Sequence, residues 1–236
     1  MATYKEIAQM IDHSLLNPTL TDNDIIAGCK LADEYKVATV CVRPSDALLA
    51  KSVLKDSEVL VTTVIGFPHG TTTTLTKITE AKEAIENGCV ELDVVLNIGK
   101  LKSGNYEYVK KDLEAVIDLA HAQSVKVKVI FENTYLTKEE IKQATLICND
   151  VSADWVKTST GYAGGGATDE DLQIMRQYAL PHIQVKAAGG VRTLERAIEI
   201  RNLGCTRFGA TATKTILDEL RTGLSDIHSV NTSATY

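Results

Sequence analysis

Short runs rich in β-branched residues recur along the chain, and each is followed by a segment with helical periodicity. They start roughly every 20–40 residues, which is the pitch of a strand–loop–helix unit. Eight runs fit this pattern, at residues 11–12, 39–42, 59–65, 90–96, 125–131, 155–158, 183–187 and 206–208. Strands that alternate with helices predict a parallel sheet, and eight of them favour closure into a barrel.

The predicted helices begin with the signals that this alternation requires. Thr137 opens a capping-box pattern, and Thr21 and Thr168 precede acidic first turns. We therefore expect one α/β domain, a single (β/α)8 TIM barrel over residues 1–225, followed by a mobile tail at residues 226–236. An open, doubly wound sheet is the competing architecture.

Composition limits the partners and the compartment. A formal charge of −6 over 236 residues leaves no basic stripe for nucleic acid. No apolar stretch approaches the length of a membrane span, and the first residues lack the features of a signal peptide. The five cysteines are odd in number and scattered, which favours reduced thiols, and the five dispersed histidines argue against a metal centre. We expect a cytoplasmic protein that binds neither nucleic acid nor membrane.

Two lysines end adjacent predicted strands, Lys157 in Val-Lys-Thr-Ser-Thr-Gly and Lys186 in Val-Lys-Ala-Ala-Gly-Gly. Active sites of barrels lie at the carboxyl ends of the strands, and neighbouring strands are about 4.8 Å apart, so the two side chains can meet. A second positive charge and partial burial both lower the pKa of a lysine, which yields neutral amine for a Schiff base on Lys157. A lysine that only reaches water is the alternative, and we expect it for Lys126 and Lys128, at the opposite end of their strand.

Other strand ends carry further candidates. Asp93 is the best placed acid for moving protons during imine and enamine formation, and a structural pairing with a lysine is the alternative. Asp12 could bind a substrate hydroxyl or cap a loop. Cys41 could form a pocket wall or be a small buried apolar group.

Glycine-rich segments follow the last three predicted strands. Their candidate phosphate-binding residues are Gly161, Gly189, Gly190, Gly209 and Thr211. Glycines let backbone N–H groups approach an anion, and the loops after strands 7 and 8 commonly bind phosphate in barrels. Each cluster alone could be a plain turn, but the three together indicate a phosphate site.

The chain resembles the deoxyribose-phosphate aldolase family through motifs that run in the family's order over nearly the whole sequence. They are Ile-Asp12-His, Val-Cys41-Val-Arg-Pro, Val-Ile-Gly-Phe-Pro-His-Gly70, Glu-Leu-Asp93-Val-Val, Lys-Val-Ile-Phe-Glu132, Val-Lys157-Thr-Ser-Thr-Gly161, Val-Lys186-Ala-Ala-Gly-Gly190-Val-Arg and Arg-Phe-Gly209. The resemblance implies a barrel that reversibly cleaves 2-deoxy-D-ribose 5-phosphate to D-glyceraldehyde 3-phosphate and acetaldehyde. It also implies a homodimer that needs neither a metal nor an organic cofactor.

The same resemblance assigns roles to residues. It makes Lys157 the Schiff-base lysine, Lys186 the partner that lowers its pKa, and Asp93 the acid of a proton relay. The substrate contacts that we predict are Asp12, Cys41, Thr160 and Tyr236. A terminal tyrosine also occurs in some aldolases of this family, and an extended arm of eight residues reaches about 26 Å, enough to cross a barrel mouth. An incidental aromatic end is the alternative for Tyr236.

The chain departs from the family pattern in two places. After Gly209 it has one hydroxyl residue, Thr211, where two are usual, because Ala212 stands at the second position. Asn133 follows Glu132 where threonine is common. Two other functions stay open: a transaldolase-like enzyme with a larger ketose donor, and a non-catalytic phosphosugar-binding barrel whose lysines only pair with anions.

Overall fold

The predicted strands form one closed parallel barrel. The computed structural model describes residues 2–230, with side chains for residues 2–222. Within these residues eight strands pair in sequence order, and the last closes on the first. The strands are β1 Ile11–Leu15, β2 Thr39–Val42, β3 Leu60–Ile65, β4 Glu91–Val95, β5 Lys126–Ile130, β6 Trp155–Lys157, β7 Gln184–Ala188 and β8 Arg207–Ala210. The (β/α)8 prediction is confirmed, and the open sheet is excluded.

Helices surround the barrel, and three of them begin at the predicted capping residues Thr21, Thr137 and Thr168. They are α1 Tyr4–Ala8, α2 Asp22–Glu34, α3 Ala47–Val53, α4 Thr74–Glu86, α5 Ile98–Lys102, α6 Tyr106–His121, α7 Lys138–Asp150, α8 Asp169–Tyr178, α9 Leu194–Asn202 and α10 Thr213–Val230. Thr21 and Thr137 form complete capping boxes, and the Thr168 hydroxyl accepts a hydrogen bond from the Asp171 amide. These caps satisfy amides that a helix start leaves without a partner.

The chain after the barrel is only partly described. Helix α10 continues to Val230 and so includes residues 226–230 of the predicted tail. Tyr236 lies outside the described residues, as do residues 231–235. Within the described part, no helix combines the length and the apolar character needed to cross a membrane.

Alternation along the strands separates an apolar layer from a charged interior. On β5 the side chains of Val127 and Val129 are fully buried in the hydrophobic core, and Lys128 between them is also fully buried. The prediction that Lys128 reaches solvent is therefore wrong. It is the middle residue of its strand, so its ammonium meets carboxylates inside the barrel instead of water. Lys126, at the start of β5, is exposed as predicted and lies over the ring of Trp155.

Candidate active site

The structure brings the two predicted lysines together on one carboxylate. Lys157 and Lys186 are register partners on β6 and β7, so both side chains point to the same face of the sheet. Each Nζ donates to Oδ2 of Asp93 at 2.7 Å. The two nitrogens therefore lie no farther apart than twice that distance, close enough for each charge to act strongly on the other.

Asp12 holds the second lysine from the other side. Its Oδ2 pairs with the Lys186 ammonium, and its Oδ1 accepts from the Thr39 hydroxyl at 2.8 Å and from Arg207 at 2.6 Å. The side chain of Asp12 is fully buried. Because protein groups already occupy both oxygens of Asp12, a substrate hydroxyl would have to share the carboxylate with them.

A further group of charges lies next to Asp93 inside the barrel. The Lys128 ammonium pairs with Glu91 and lies 2.9 Å from Oδ1 of Asp93. Arg207 lies 3.2 Å from Glu91, and its guanidinium also stacks over the Trp155 ring at 5.1 Å. The interior is thus a continuous network of ion pairs, which is how buried charges offset the loss of hydration.

Burial and neighbouring charges separate the protonation behaviour of the two lysines. Burial and the nearby Lys186 charge lower the pKa of Lys157, against the opposing pull of Asp93. Burial also opposes the charge on Lys186, but Asp12 and Asp93 outweigh it and raise the pKa of Lys186. Burial disfavours the Asp93 carboxylate, yet Lys128 and the two lysines hold its pKa well below the ordinary value. Lys157 is therefore the ammonium that most readily becomes a neutral nucleophile.

A cavity of about 610 Å³ opens over this network. Ten predicted site residues line it: Asp12, Cys41, Lys157, Thr160, Gly161, Lys186, Gly189, Gly190, Gly209 and Thr211. Asp93 is fully buried beneath the lysines. Cys41 is almost completely buried, and burial raises the pKa of its thiol to about 11, so it contributes a neutral wall near neutral pH.

The glycine-rich loops pack backbone against backbone beside the cavity. A Cβ on Gly189 would lie 2.8 Å from Cα of Gly166, and the amide of Ala167 donates to the carbonyl of Gly189. Gly190 has φ +88° with open space where a Cβ would stand, so conformation and not space requires glycine there. Arg192 also lines the cavity and adds a cation to this region. Backbone amides and one guanidinium are suited to hold a phosphate.

Thr160 is engaged mainly with the protein. Its amide donates to the Glu132 carboxylate at 3.2 Å, its hydroxyl also bonds to Glu132, and it accepts from the amide of Tyr162 at 3.0 Å. Glu132 is buried and has φ +59°, a left-handed conformation that is uncommon outside glycine, asparagine and aspartate. The pair thus fixes the start of the glycine-rich loop three residues after Lys157.

His13 is a cavity residue to which the sequence reasoning assigned no role. Its Nδ1 lies 2.8 Å from the hydroxyl of Thr213 at the start of α10, and burial lowers the pKa of its ring to about 4. The motif Ile-Asp-His contained His13, but only its contact with Thr213 shows that the ring faces the loop after β8.

Comparison with known proteins identifies the family. The family model described as DeoC/LacD family aldolase matches residues 6–216. The chain belongs to this family of aldolases. A curated deoxyribose-phosphate aldolase of Rhodopirellula baltica is 48% identical over 218 residues, which cover 92% of this chain and 90% of the relative. The corresponding enzyme of Thermococcus gammatolerans is 47% identical over 218 residues, which cover 92% of this chain and 97% of the relative.

A solved structure confirms the architecture of this aldolase. The deoxyribose phosphate aldolase of Aeropyrum pernix, which is described as a tetramer, superposes with a TM-score of 0.87 at 26% identity. The match covers 94% of this chain and 93% of that chain. The chain is therefore a carbon–carbon lyase on a TIM barrel.

Proposed function

We propose that this aldolase reversibly cleaves 2-deoxy-D-ribose 5-phosphate to D-glyceraldehyde 3-phosphate and acetaldehyde through a Schiff base on Lys157. The names of the two curated relatives support the substrate. The observation that carries the mechanism is a buried Lys157 that faces the cavity and shares one carboxylate oxygen with Lys186.

The first step forms the imine. The neutral amine of Lys157 adds to the C1 aldehyde of the open-chain sugar, and loss of water leaves a protonated imine at C1. Asp93 lies within hydrogen-bond distance of the attacking nitrogen and can accept its proton directly or through a water molecule. Lys186 remains an ammonium beside it and can supply the proton that leaves with the hydroxyl.

The second step breaks the carbon–carbon bond. Removal of the proton from the C3 hydroxyl turns C3 into an aldehyde, and the electron pair of the C2–C3 bond moves into the iminium to give an enamine. Glyceraldehyde 3-phosphate leaves. Protonation of the enamine at C2 and addition of water to the resulting imine release acetaldehyde and regenerate Lys157. Asp93 and Lys186 are the acid–base pair within reach of this nitrogen.

The phosphate is assigned to the loops after β7 and β8. Gly189 and Gly190 offer backbone amides and Thr211 offers a hydroxyl, and Gly209 near the end of β8 lines the wall of the same cavity as Lys157. Arg192 can add charge. A substrate held by its phosphate at these loops would present its C1 end to the lysines.

Assembly and compartment form part of the same proposal: a homodimer in the cytoplasm. All five cysteines are free and buried, which is compatible with a reducing compartment. Analytical ultracentrifugation tests the dimer, and a different sedimenting mass would overturn it.

Trapping with borohydride tests the chemistry. Incubation with acetaldehyde and borohydride should add one ethyl group, and peptide mapping should place it on Lys157. A Lys157→Met variant is the matched control and should take up no label at the site, whereas wild-type label on Lys186, or none, would overturn the assignment. Acetaldehyde should also be the accepted donor, and preferred turnover with dihydroxyacetone would indicate transaldolase-like chemistry.

Tyr236, which lies outside the described residues, is proposed as an acid–base group of the reaction. Tyr236→Phe should slow exchange of solvent deuterium into the acetaldehyde methyl group, because that exchange requires proton transfer at this carbon. Imine trapping and thermal stability should be unchanged. Wild-type exchange in this variant would remove Tyr236 from the mechanism.

A further inference from the structure

The charged interior of the barrel forms one network with an uneven charge count. Among the described side chains, seven charged groups are joined by ion pairs beneath and around the cavity floor. The carboxylates are Asp12, Glu91 and Asp93, and the cations are Lys128, Lys157, Lys186 and Arg207. Fully ionised, the network carries one positive charge in excess. Loss of a single proton from one lysine makes it neutral.

We propose that Arg207 and Glu91, which lie outside the substrate cavity, set the protonation of Lys157 through this charge balance and are positioning residues of the aldolase. The inference rests on the proposed function, since it concerns the lysine that forms the imine. The low dielectric of a buried site makes an uncompensated charge costly. The network is therefore most stable when its net charge is zero.

The pairing pattern selects Lys157 as the group that gives up its proton. Among the described side chains, Lys157 pairs with one carboxylate, that of Asp93. Lys186 pairs with two carboxylates and Lys128 with three. Arg207 pairs with two and is a guanidinium, which does not deprotonate in proteins. The least paired of the three lysines thus lines the cavity, together with Lys186.

Arg207 and Glu91 can act only through their partners. Within the described part of the chain, neither residue lines the cavity. Arg207 reaches the lysines through Asp12, which pairs with Lys186, and Glu91 reaches them through Lys128. A change in the charge of either residue would alter the network without removing any group that meets the substrate.

The remaining strands add no further charge to this balance. Strand β2 contributes Cys41, whose thiol is kept neutral by a pKa raised to about 11 through burial. Strand β3 contributes Thr62, whose hydroxyl contacts Asp93 at 3.4 Å. Thr39 donates its hydroxyl to Asp12. With these neutral groups, all eight strands of the described barrel are accounted for.

The proposal predicts opposite effects for its two residues. Arg207→Met removes a positive charge, so it should raise the pKa of Lys157 and move the acid limb of the pH profile for kcat/KM to higher pH. Glu91→Gln removes a negative charge and should move that limb to lower pH. The shift in each case should be about one pH unit, as for a unit charge within the network at an effective dielectric near 20.

Two more variants keep the test independent of folding defects. Arg207→Lys retains the charge, so its acid limb should stay within about 0.3 units of wild type even if its rate falls. The double variant Arg207→Met with Glu91→Gln restores the net charge of the network. Its acid limb of the pH profile should therefore return toward that of wild type. Circular dichroism and thermal melting report whether each variant is folded.

Acetaldehyde trapping as a function of pH distinguishes a failure of the proposed function from a failure of the charge-balance inference. If wild type shows no adduct on Lys157 at any pH, the proposed function itself fails. If the adduct forms on Lys157 but Arg207→Met and Glu91→Gln leave the trapping midpoint unchanged, or move it in the same direction, the charge-balance inference is overturned. Opposite shifts that cancel in the double variant support it.

Discussion

Lys157 and Lys186 donate to the same oxygen, Oδ2 of Asp93, at 2.7 Å each. One carboxylate cannot offset two ammonium groups at this distance, so the pair is most stable when one lysine is neutral. Asp12 binds Lys186 as well, which leaves Lys157 as the lysine with the lowered pKa. The difference between a nucleophile and a permanent cation thus comes from which lysine receives the second carboxylate.

Replacing Lys186 by methionine should raise the pKa of Lys157, because the neighbouring positive charge is lost while most of the side-chain length remains. Cleavage near pH 7 should fall at least about tenfold, and the acid limb of the pH–rate profile should move to higher pH. Kinetics from pH 6 to 10 measure both effects. Unchanged midpoints in the folded variant would contradict the role of the Lys186 charge.

Lys128→Met should destabilise the protein strongly, whereas the same substitution at Lys126 should not. Lys128 is fully buried and pairs with three carboxylates, so its removal breaks three buried ion pairs at once and should cost about 3–5 kcal/mol. Lys126 begins the same strand and is exposed, so its loss should change the free energy of unfolding by about 0.5 kcal/mol or less. Urea denaturation of both variants provides the comparison. Equal losses would show that burial at position 128 does not decide the effect.

The two lysines of β5 show what the sequence could not reveal. Both occupy alternate positions in a valine-rich strand, and the alternation correctly places them on the same face of the sheet. Whether a side chain on that face meets water depends on how far along the barrel axis it lies. The register places Lys128 opposite Asp93 and Trp155 on the neighbouring strands, inside the closed barrel. Glu91 and Arg207 begin their strands, where a charged residue normally indicates a solvated edge, and the same closure buries most of each side chain.

Features with local causes were predictable. The capping threonines, the strand order and the lysines at the ends of β6 and β7 follow from periodicity and from short motifs, and the structure confirms them. The contact of Glu132 with Thr160 joins residues that follow two neighbouring strands, and that of His13 with Thr213 spans almost the whole chain. Such contacts depend on three-dimensional packing, which one sequence read for local patterns does not supply.

His13 should make the protein less stable in mild acid. Burial lowers the pKa of its ring from the ordinary 6.5 to about 4, so between these values the folded protein keeps it neutral while the unfolded chain takes up a proton. Stability from this group is therefore lost as the pH falls from 7 to 5, by about 2 kcal/mol. The pKa values of Asp12 and Asp93 are lowered, so their stabilisation is lost only at lower pH, below about 3.8.

His13→Asn keeps a polar atom near Thr213 and removes the titrating ring. The change in the free energy of unfolding between pH 7 and pH 5 should therefore be smaller in the variant than in wild type by about 2 kcal/mol. Urea titrations at both pH values measure this difference. The same pH dependence in the two proteins would mean that the ring of His13 is protonated in the fold or does not titrate in the unfolded chain at these values.

Thr211 should discriminate the phosphorylated sugar from the free sugar. It lines the cavity beside Gly209, and a hydroxyl that bonds to a charged phosphate contributes about 1.5–3 kcal/mol, less where water replaces it. Thr211→Val should therefore raise KM for 2-deoxyribose 5-phosphate about tenfold and leave kcat/KM for 2-deoxyribose nearly unchanged. Thr206→Val is the matched control, since its hydroxyl bonds to Trp155 and Gln184 at the other end of β8. Because the control meets no cavity group, it should leave both KM values unaltered, and equal effects of Thr211→Val on the two sugars would place the phosphate elsewhere.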